Sequence, residues 1–259
     1  LADIIYRPRS ITEILDASFH LFRRHFKPLV TLTAVTYLPL AVLSLLYSRY
    51  AGFTADTPPT AFPASTFIFF PIMLIWFTIM SALVTTMASR AYLDEALEPG
   101  TVWRTSAPRL LSAIAATFIV VFIAGIGLVF FAIPGIYLYT RFGSAPIIAV
   151  LEGVSFSDAL KRASVLSSDR KLHIFGVTLL ALLLYFVVSL GLGVVALLTP
   201  STLLRSLVSF VGTIFTWPII PIIQTVLYYD LRIRAEGYDV ELMTRGLDQS
   251  PGSAVEAAI

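Results

Sequence analysis

Lysine and arginine follow one rule along this 259-residue chain, and the rule constrains the fold more than any motif does. Six long apolar stretches divide the sequence, and 15 of its 18 basic residues lie in alternate gaps. Residues 1–28 hold Arg7, Arg9, Arg23, Arg24 and Lys27. Later gaps of the same set hold Arg90, Arg104 and Arg109, then Lys161, Arg162, Arg170 and Lys171, and finally Arg232, Arg234 and Arg245. The intervening gaps keep only Arg49 and Arg205, and Arg141 falls inside a stretch. Loops rich in Lys and Arg stay cytoplasmic. The pattern therefore predicts an all-α polytopic bundle of six membrane spans with both termini inside.

Composition agrees. Hydrophobic residues are 57% of the chain and charged residues 13%, against about 25% charged in an ordinary soluble domain. One water-facing globule could not hide that much apolar surface, but lipid can. The net charge is only +2, and acidic residues share the basic gaps, so nucleic acid is not expected as a partner. Cysteine is absent, which excludes disulfides, thiolate metal sites and cysteine nucleophiles. Residues 1–28 contain no continuous apolar core of a signal peptide, so the first span is expected to act as its own signal.

A span needs about 20 apolar residues. Six are expected near 29–48, 66–89, 110–132, 135–151, 172–198 and 203–229, each helical because backbone polar groups find no water in lipid. They form a single membrane domain over 1–245, with 246–259 as a flexible cytoplasmic tail. The proline-rich loop 49–65 is expected to be irregular, Pro134-Gly135 to make a tight turn, and Thr199-Pro200-Ser201 to separate spans five and six. Tyr47, Tyr50, Tyr137 and Tyr139 fall toward the outer boundary, and Tyr92, Tyr228 and Tyr229 toward the inner, as two aromatic belts.

Ser10 and Glu13 make a Ser-x-x-Glu capping box that opens a helix over 10–27. Ile11, Ile14, Leu15, Ser18, Phe19, Leu21, Phe22 and Phe26 share one face of it. Thr12, Glu13, Asp16, His20, Arg23, Arg24 and Lys27 share the other. This is an amphipathic helix lying in the membrane interface, or a cytoplasmic helix packed on protein. Ser155 and Asp158 open a second such helix over 155–168, with Phe156, Ala159, Leu160, Ala163 and Leu166 on its apolar face. A shorter version follows Pro99-Gly100. Each helical hairpin is thus preceded by a cytoplasmic amphipathic segment, a possible internal repeat.

Three stretches carry a resemblance. They are Arg7-Pro8-Arg9-Ser10 with Glu13-Ile14-Leu15-Asp16; Pro146 through Glu152-Gly153 with Ala159-Leu160-Lys161-Arg162-Ala163; and Tyr228-Tyr229-Asp230-Leu231-Arg232-Ile233-Arg234 with Glu236-Gly237-Tyr238-Asp239. Together they resemble the multi-span membrane domain of bacterial glycerophosphoryl diester phosphodiesterases, over residues 7–243. The closing Tyr-Tyr-Asp-Leu-Arg is the most specific part. The resemblance implies a bacterial cytoplasmic (inner) membrane protein of this topology. It does not imply phosphodiesterase activity, which belongs to a separate soluble barrel domain for which this chain leaves no room. The chain departs from the family at Ser167-Ser168-Asp169-Arg170-Lys171-Leu172-His173, where similar sequences usually carry an aromatic or basic run.

Candidate functional residues are few. Arg141, costing on the order of 3 kcal/mol at a bilayer centre, either binds an anion or carboxylate inside the bundle, or snorkels outward or makes a structural hydrogen bond. Gln224 follows Trp217-Pro218 and Pro221, which free carbonyls and kink span six. It lines a path, as broken helices do in transporters, or bonds a neighbouring helix. Asp230, Arg232, Arg234 and Glu236 follow the last span as a docking surface, or as self-satisfied helix charges. Small residues Ser81, Thr85 and Ser89 with Ala82, and glycines 125, 127, 191 and 193, suit close helix packing or contact with a partner's helix. His20, His25 and His173 all lie near the cytoplasmic boundary, so no haem or pigment is expected. No phosphate loop, zinc spacing or nucleophile elbow appears.

The expectation is a non-enzymatic membrane scaffold or accessory subunit that binds lipid and other membrane proteins, without cofactor or metal. The alternative is a transporter or lipid-handling protein with a path near Arg141 and the span-six prolines. The topology is directly testable. In this cysteine-free chain, single cysteines replacing Thr57 and Gln249 label from opposite sides of the membrane, Gln249 from the cytoplasm; labelling from one common side refutes the arrangement.

Overall fold

The computed structural model describes residues 7–50, 66–199 and 202–238. The body of the loop 49–65, the residues Pro200-Ser201 and the tail 246–259 lie outside the described residues. Among the described residues there are eleven α-helices, one short 3-10 turn and no strand. In chain order they are α1 (Ile11–Arg24), α2 (Phe26–Tyr50), α3 (Thr66–Tyr92), α4 (Pro99–Ser106), α5 (Leu110–Phe130), α6 (Ala132–Phe142), α7 (Ala145–Glu152), α8 (Phe156–Leu166), α9 (Lys171–Leu197), α10 (Thr202–Thr216) and α11 (Ile219–Glu236).

Five stretches are long and apolar enough to cross a membrane: Phe26–Leu43, Ile68–Tyr92, Pro99–Phe130, Lys171–Leu197 and Leu204–Glu236. The chain is on this ground a multi-pass membrane protein. The expected fourth span is not among the five. It is split at Gly143-Ser144 into α6 and α7, neither of which reaches the length of a span. Pro146 in the first turn of α7 has no N–H to offer the Phe142 carbonyl, so the helix is interrupted there. The last span is split likewise at Trp217-Pro218, between α10 and α11.

The helix ends follow local chemistry. Ser10 caps α1 through a complete capping box, with the Ser10 N–H donating to Glu13 Oε2 at 2.7 Å. That bond, then the Ser10 hydroxyl and Arg7, holds the Glu13 carboxyl below its ordinary pKa. The cap is therefore complete above the carboxylate range and is lost as pH falls through the lowered value. Ser155 caps α8, but Asp158 accepts from the Ser155 hydroxyl (2.7 Å) rather than from its backbone N–H, so the second box is half formed. Gly153 (φ 69°) and Gly237 (φ 63°) end α7 and α11 in the left-handed conformation, which glycine adopts without strain.

The turn between α5 and α6 differs from expectation. Phe131 takes the extended conformation and makes the turn, while Pro134-Gly135 falls in the first turn of α6, where a missing N–H loses nothing. Gly127 of α5 and Gly135 of α6 then meet backbone to backbone. A Cβ on Gly127 would lie 2.6 Å from Gly135 Cα.

The apolar face of α1 is covered by α9 and α11 rather than left open, with Ile14 fully buried. The core gathers in the half of the molecule that holds most of the basic residues, hereafter the basic end. There α11 runs as the central helix, flanked by α1, α3, α7 and α9. Toward the opposite end the helices turn apolar side chains outward, Val129, Ile133 and Leu197 among them. The small-residue stripe of α3 is used internally: Thr85, Thr86 and Ser89 are buried, and α3 packs on α11. Trp76 ties α3 to α2 by donating to the Thr36 carbonyl at 2.8 Å.

Tyr92, Tyr228 and Tyr229 cluster at the basic end. Tyr137 and Tyr139 are exposed on α6; Tyr139 borders a cavity, and Lys171 lies 5.5 Å from the Tyr137 ring centre. The α8 helix packs along α5, α6 and α7, and α9 contacts α6.

The glycine contact gives a stability prediction. Gly127→Ala pushes backbone from backbone and lowers the unfolding free energy by about 1–3 kcal/mol. Gly125→Ala, with nothing within 4 Å of the added carbon, leaves it unchanged or slightly raised. Thermal unfolding of the two purified variants separates them.

Candidate functional site

Two constellations stand out, and α11 takes part in both. The first is a polar clamp at the basic end. Asp230 is 1% exposed. Its Oδ1 accepts the Arg9 backbone N–H at 2.7 Å, and its Oδ2 accepts Arg234 Nε at 2.7 Å. His173 Nε2 lies 3.1 Å from the same oxygen, and since a carboxylate only accepts, that nitrogen carries the proton here. Arg234 also donates to the Arg9 carbonyl at 2.5 Å. One buried carboxylate thus ties the N-terminal segment, α9 and α11 together.

A second charged group sits beside it. Glu152, at the end of α7, accepts from Arg162 Nε of α8 (2.9 and 3.0 Å) and from the Tyr228 hydroxyl (2.8 Å). Arg162 also meets Glu236 at 2.5 Å, and Glu236 accepts Arg232 Nε at 3.0 Å. Burial works against the Arg162 cation, but Glu236 and Glu152 outweigh it and lift its pKa above the ordinary arginine value. Arg232 lies over the Tyr238 ring at 3.7 Å. Tyr229 stacks on Tyr92 (4.7 Å between centres) and its hydroxyl pairs with Ser89 at 2.7 Å. Arg109 closes the C-terminus of α7, donating to the Val150 and Leu151 carbonyls at 2.7 and 3.0 Å.

Four of the residues singled out in the sequence therefore fall in two neighbouring groups, Asp230 with Arg234 and Arg232 with Glu236. Their partners Arg9, Glu152, Arg162, His173 and Tyr228 were not singled out. The signal that could have found them is the set of three separated motifs, since each partner except His173 lies in one of those stretches.

The second constellation is a cavity of about 260 Å³ between the helices, half open to the surface beside Val121 and Tyr139. Both helix breaks open onto it. Tyr139, Gly143 and Pro146 line it from α6–α7, and Trp217, Pro221 and Gln224 from α10–α11. Thr78, Ser81 and Thr85 of α3 and Thr117 of α5 close it on the other sides. None of its lining residues is acidic, basic or histidine. Two of its lining residues each hold a side-chain atom without a partner, Thr85 Oγ1 and Trp217 Nε1, and both atoms are buried away from the cavity. Trp217 is held by its ring against Phe77, 4.6 Å between centres. Gln224 lies within interaction range of the Tyr139 hydroxyl.

Arg141 belongs to neither constellation. Its Nε donates to the Ser164 hydroxyl of α8 at 2.9 Å, and its carbonyl accepts from Ser167 at 3.1 Å. It pins α6 to α8 through a structural hydrogen bond, one of the alternatives expected for it. Arg141 itself does not line the cavity, which Tyr139 and Gly143 on either side of it and Gln224 reach.

The clamp predicts a graded response. Asp230→Ala strands Arg234 in a buried setting and costs about 3–5 kcal/mol. Arg7→Ala breaks only an exposed pair with Glu13 and costs at most about 1 kcal/mol. Equal losses in thermal unfolding of the two variants refute the account. No protein family, curated protein or solved structure matches this chain.

Proposed function

We propose that this chain is a carrier or lipid-handling protein of a bacterial inner membrane, holding a small amphiphile in the cavity between its two broken helices. The carrying observation is that both helix interruptions border one cavity of about 260 Å³ with no charged side chain in its lining. Irregular backbone at membrane depth is tolerated where it lines a cavity, and discontinuous helices form the binding sites of many transporters. On this reading α6 and α7 together make a sixth crossing, and both termini face the cytoplasm with the basic end.

The placement of the breaks supports the reading. Each lies in the second limb of a hairpin, and each hairpin follows a short helix, α4 before α5–α7 and α8 before α9–α11. The two units point the same way, as parallel repeats do in several transporter folds. The three motif stretches that resemble the phosphodiesterase-linked membrane domain also converge, since they supply most of the clamp. A scaffold role draws less support. It needs Asp230, Arg232, Arg234 and Glu236 to face a partner, yet these side chains bond one another and their neighbours.

A carrier exposes its site to each side in turn. In vesicles of fixed orientation, a membrane-impermeant thiol reagent is expected to modify a Ser81→Cys variant both when added outside and when trapped inside. Modification from one side only, or from neither, overturns the carrier reading.

A further inference from the structure

Where α8 gives way to α9, basic side chains gather around an open pocket of about 470 Å³ at the basic end. Asp169, Arg170, Lys171, Leu172 and His173 line it from the connection and the first turn of α9, and Arg234 lines it from α11. Arg170 is exposed and Lys171 partly so. Neither has a carboxylate partner among the described residues, whereas Arg90, Lys161, Arg162 and Arg232 each meet one. Lys171 lies instead over the Tyr137 ring, 5.5 Å from its centre. Arg234 adds its charge to the wall but is paired with Asp230 at 2.7 Å. His173 is bonded to the same carboxylate through Nε2. Asp169 is exposed on the rim and has no ion pair among the described residues. Three cations thus stand against Asp169 and the buried Asp230, and the balance is positive.

The place of the pocket selects the anion. The apolar span Lys171–Leu197 begins at its edge. Arg170 and Lys171 therefore stand where a bilayer changes from headgroup to hydrocarbon, and basic residues at that level attract anionic lipid. Leu172, next in the chain, is 85% exposed. Leu179, Leu183, Phe186 and Leu190 follow it at helical spacing and are exposed as well. At 100° per residue these five share one face of α9, so an uncovered apolar stripe leads directly away from the cationic pocket. A soluble anion would use the cations alone. A phospholipid uses both features, its phosphate at the pocket and a chain on the stripe, and the two contributions add. The volume falls within the roughly 300–1,000 Å³ of small-ligand sites, which leaves room for a headgroup.

We infer that this pocket binds the phosphate of an anionic phospholipid, with Arg170 and Lys171 as its counter-charges and one acyl chain along the α9 stripe that starts at Leu172. The site shares no residue with the cavity between the broken helices and does not rest on the reading of that cavity.

The test uses the full chain in vesicles and exploits its lack of cysteine. Leu179→Cys and Val129→Cys each carry one bimane fluorophore, the first on the stripe and the second on an exposed site toward the opposite end. The vesicles are phosphatidylcholine, part of which is replaced by phosphatidylglycerol or phosphatidylcholine with the same brominated chains. At equal mole fraction the brominated phosphatidylglycerol is expected to quench the Leu179→Cys label more strongly, and the two lipids to quench the Val129→Cys label alike. Arg170→Gln or Lys171→Gln is expected to lower the preference at Leu179→Cys about fivefold, the worth of one basic residue at an anionic surface. Arg104→Gln, which removes an exposed cation outside the pocket, is expected to leave it unchanged. Arg170→Gln breaks no side-chain bond among the described residues, and its melting temperature is expected to match the parent's.

Equal quenching by the two lipids at Leu179→Cys overturns the inference. So does a loss in Arg104→Gln as large as in Arg170→Gln, which would mark a general surface attraction in place of a site. Inorganic phosphate separates the two sources of the anion. At matched ionic strength it is expected to weaken the lipid preference no more than chloride does; if phosphate alone abolishes the preference, the pocket belongs to a soluble anion and the lipid assignment fails. Two-sided labelling of Ser81→Cys bears on the cavity alone, so the carrier reading and this site stand or fall separately.

Discussion

A polar group buried away from water needs a partner within the protein, and much of this fold answers that constraint. At the basic end the response is complete satisfaction. Asp230 is as deeply buried as the leucines around it, yet three donors reach it. Glu152 is shared between Arg162 and Tyr228, and Arg162 between two carboxylates. Such a network is weak evidence for stability in itself, since its desolvation is costly. Its effect is to fix register. A carboxylate that must meet Arg9, His173 and Arg234 at once allows one arrangement of the N-terminal segment, α9 and α11.

That register positions the cavity. The α11 helix is locked at its Asp230 end and free of its predecessor at Trp217-Pro218, so its first turn is held at a fixed place opposite α6–α7. Gln224 lies on the same helix between lock and break. The α7 helix is treated alike: Arg109 and Glu152 secure its C-terminal end, and Pro146 at its start borders the cavity. Two half-helices clamped at one end and open at the other give the cavity a firm floor and walls whose upper halves, α6 and α10, lack such ties to the clamp.

Much of this was legible in the sequence. The five apolar helices, the Ser10 capping box, the Gly237 stop and the run Asp230 to Glu236 all arise from local rules: hydropathy, capping and helical spacing. What was missed depends on juxtaposition. Arg9, Glu152 and Arg162 look like ordinary boundary charges until the fold stacks their segments. The break at Gly143-Ser144 was signalled by a glycine three residues before Pro146, but the apolar run on either side outweighed it. Arg141 drew attention as a charge inside a span, whereas its partner Ser164 sits on a helix expected to lie apart.

The contrast between the two ends of α11 is what gives the cavity its meaning. Where this protein has charges to bury, it supplies partners for them, often two or three to a group. A fold with that much polar economy leaves Thr85 and Trp217 unpaired within the same helical layer, although a threonine needs only its own helix to be satisfied, as seven others show. Random imperfection would scatter such atoms. Of the three buried, unpaired side-chain atoms among the described residues, two belong to residues that border the cavity between the broken helices. That both breaks border one uncharged cavity is the physical reason to propose a ligand there rather than loose packing.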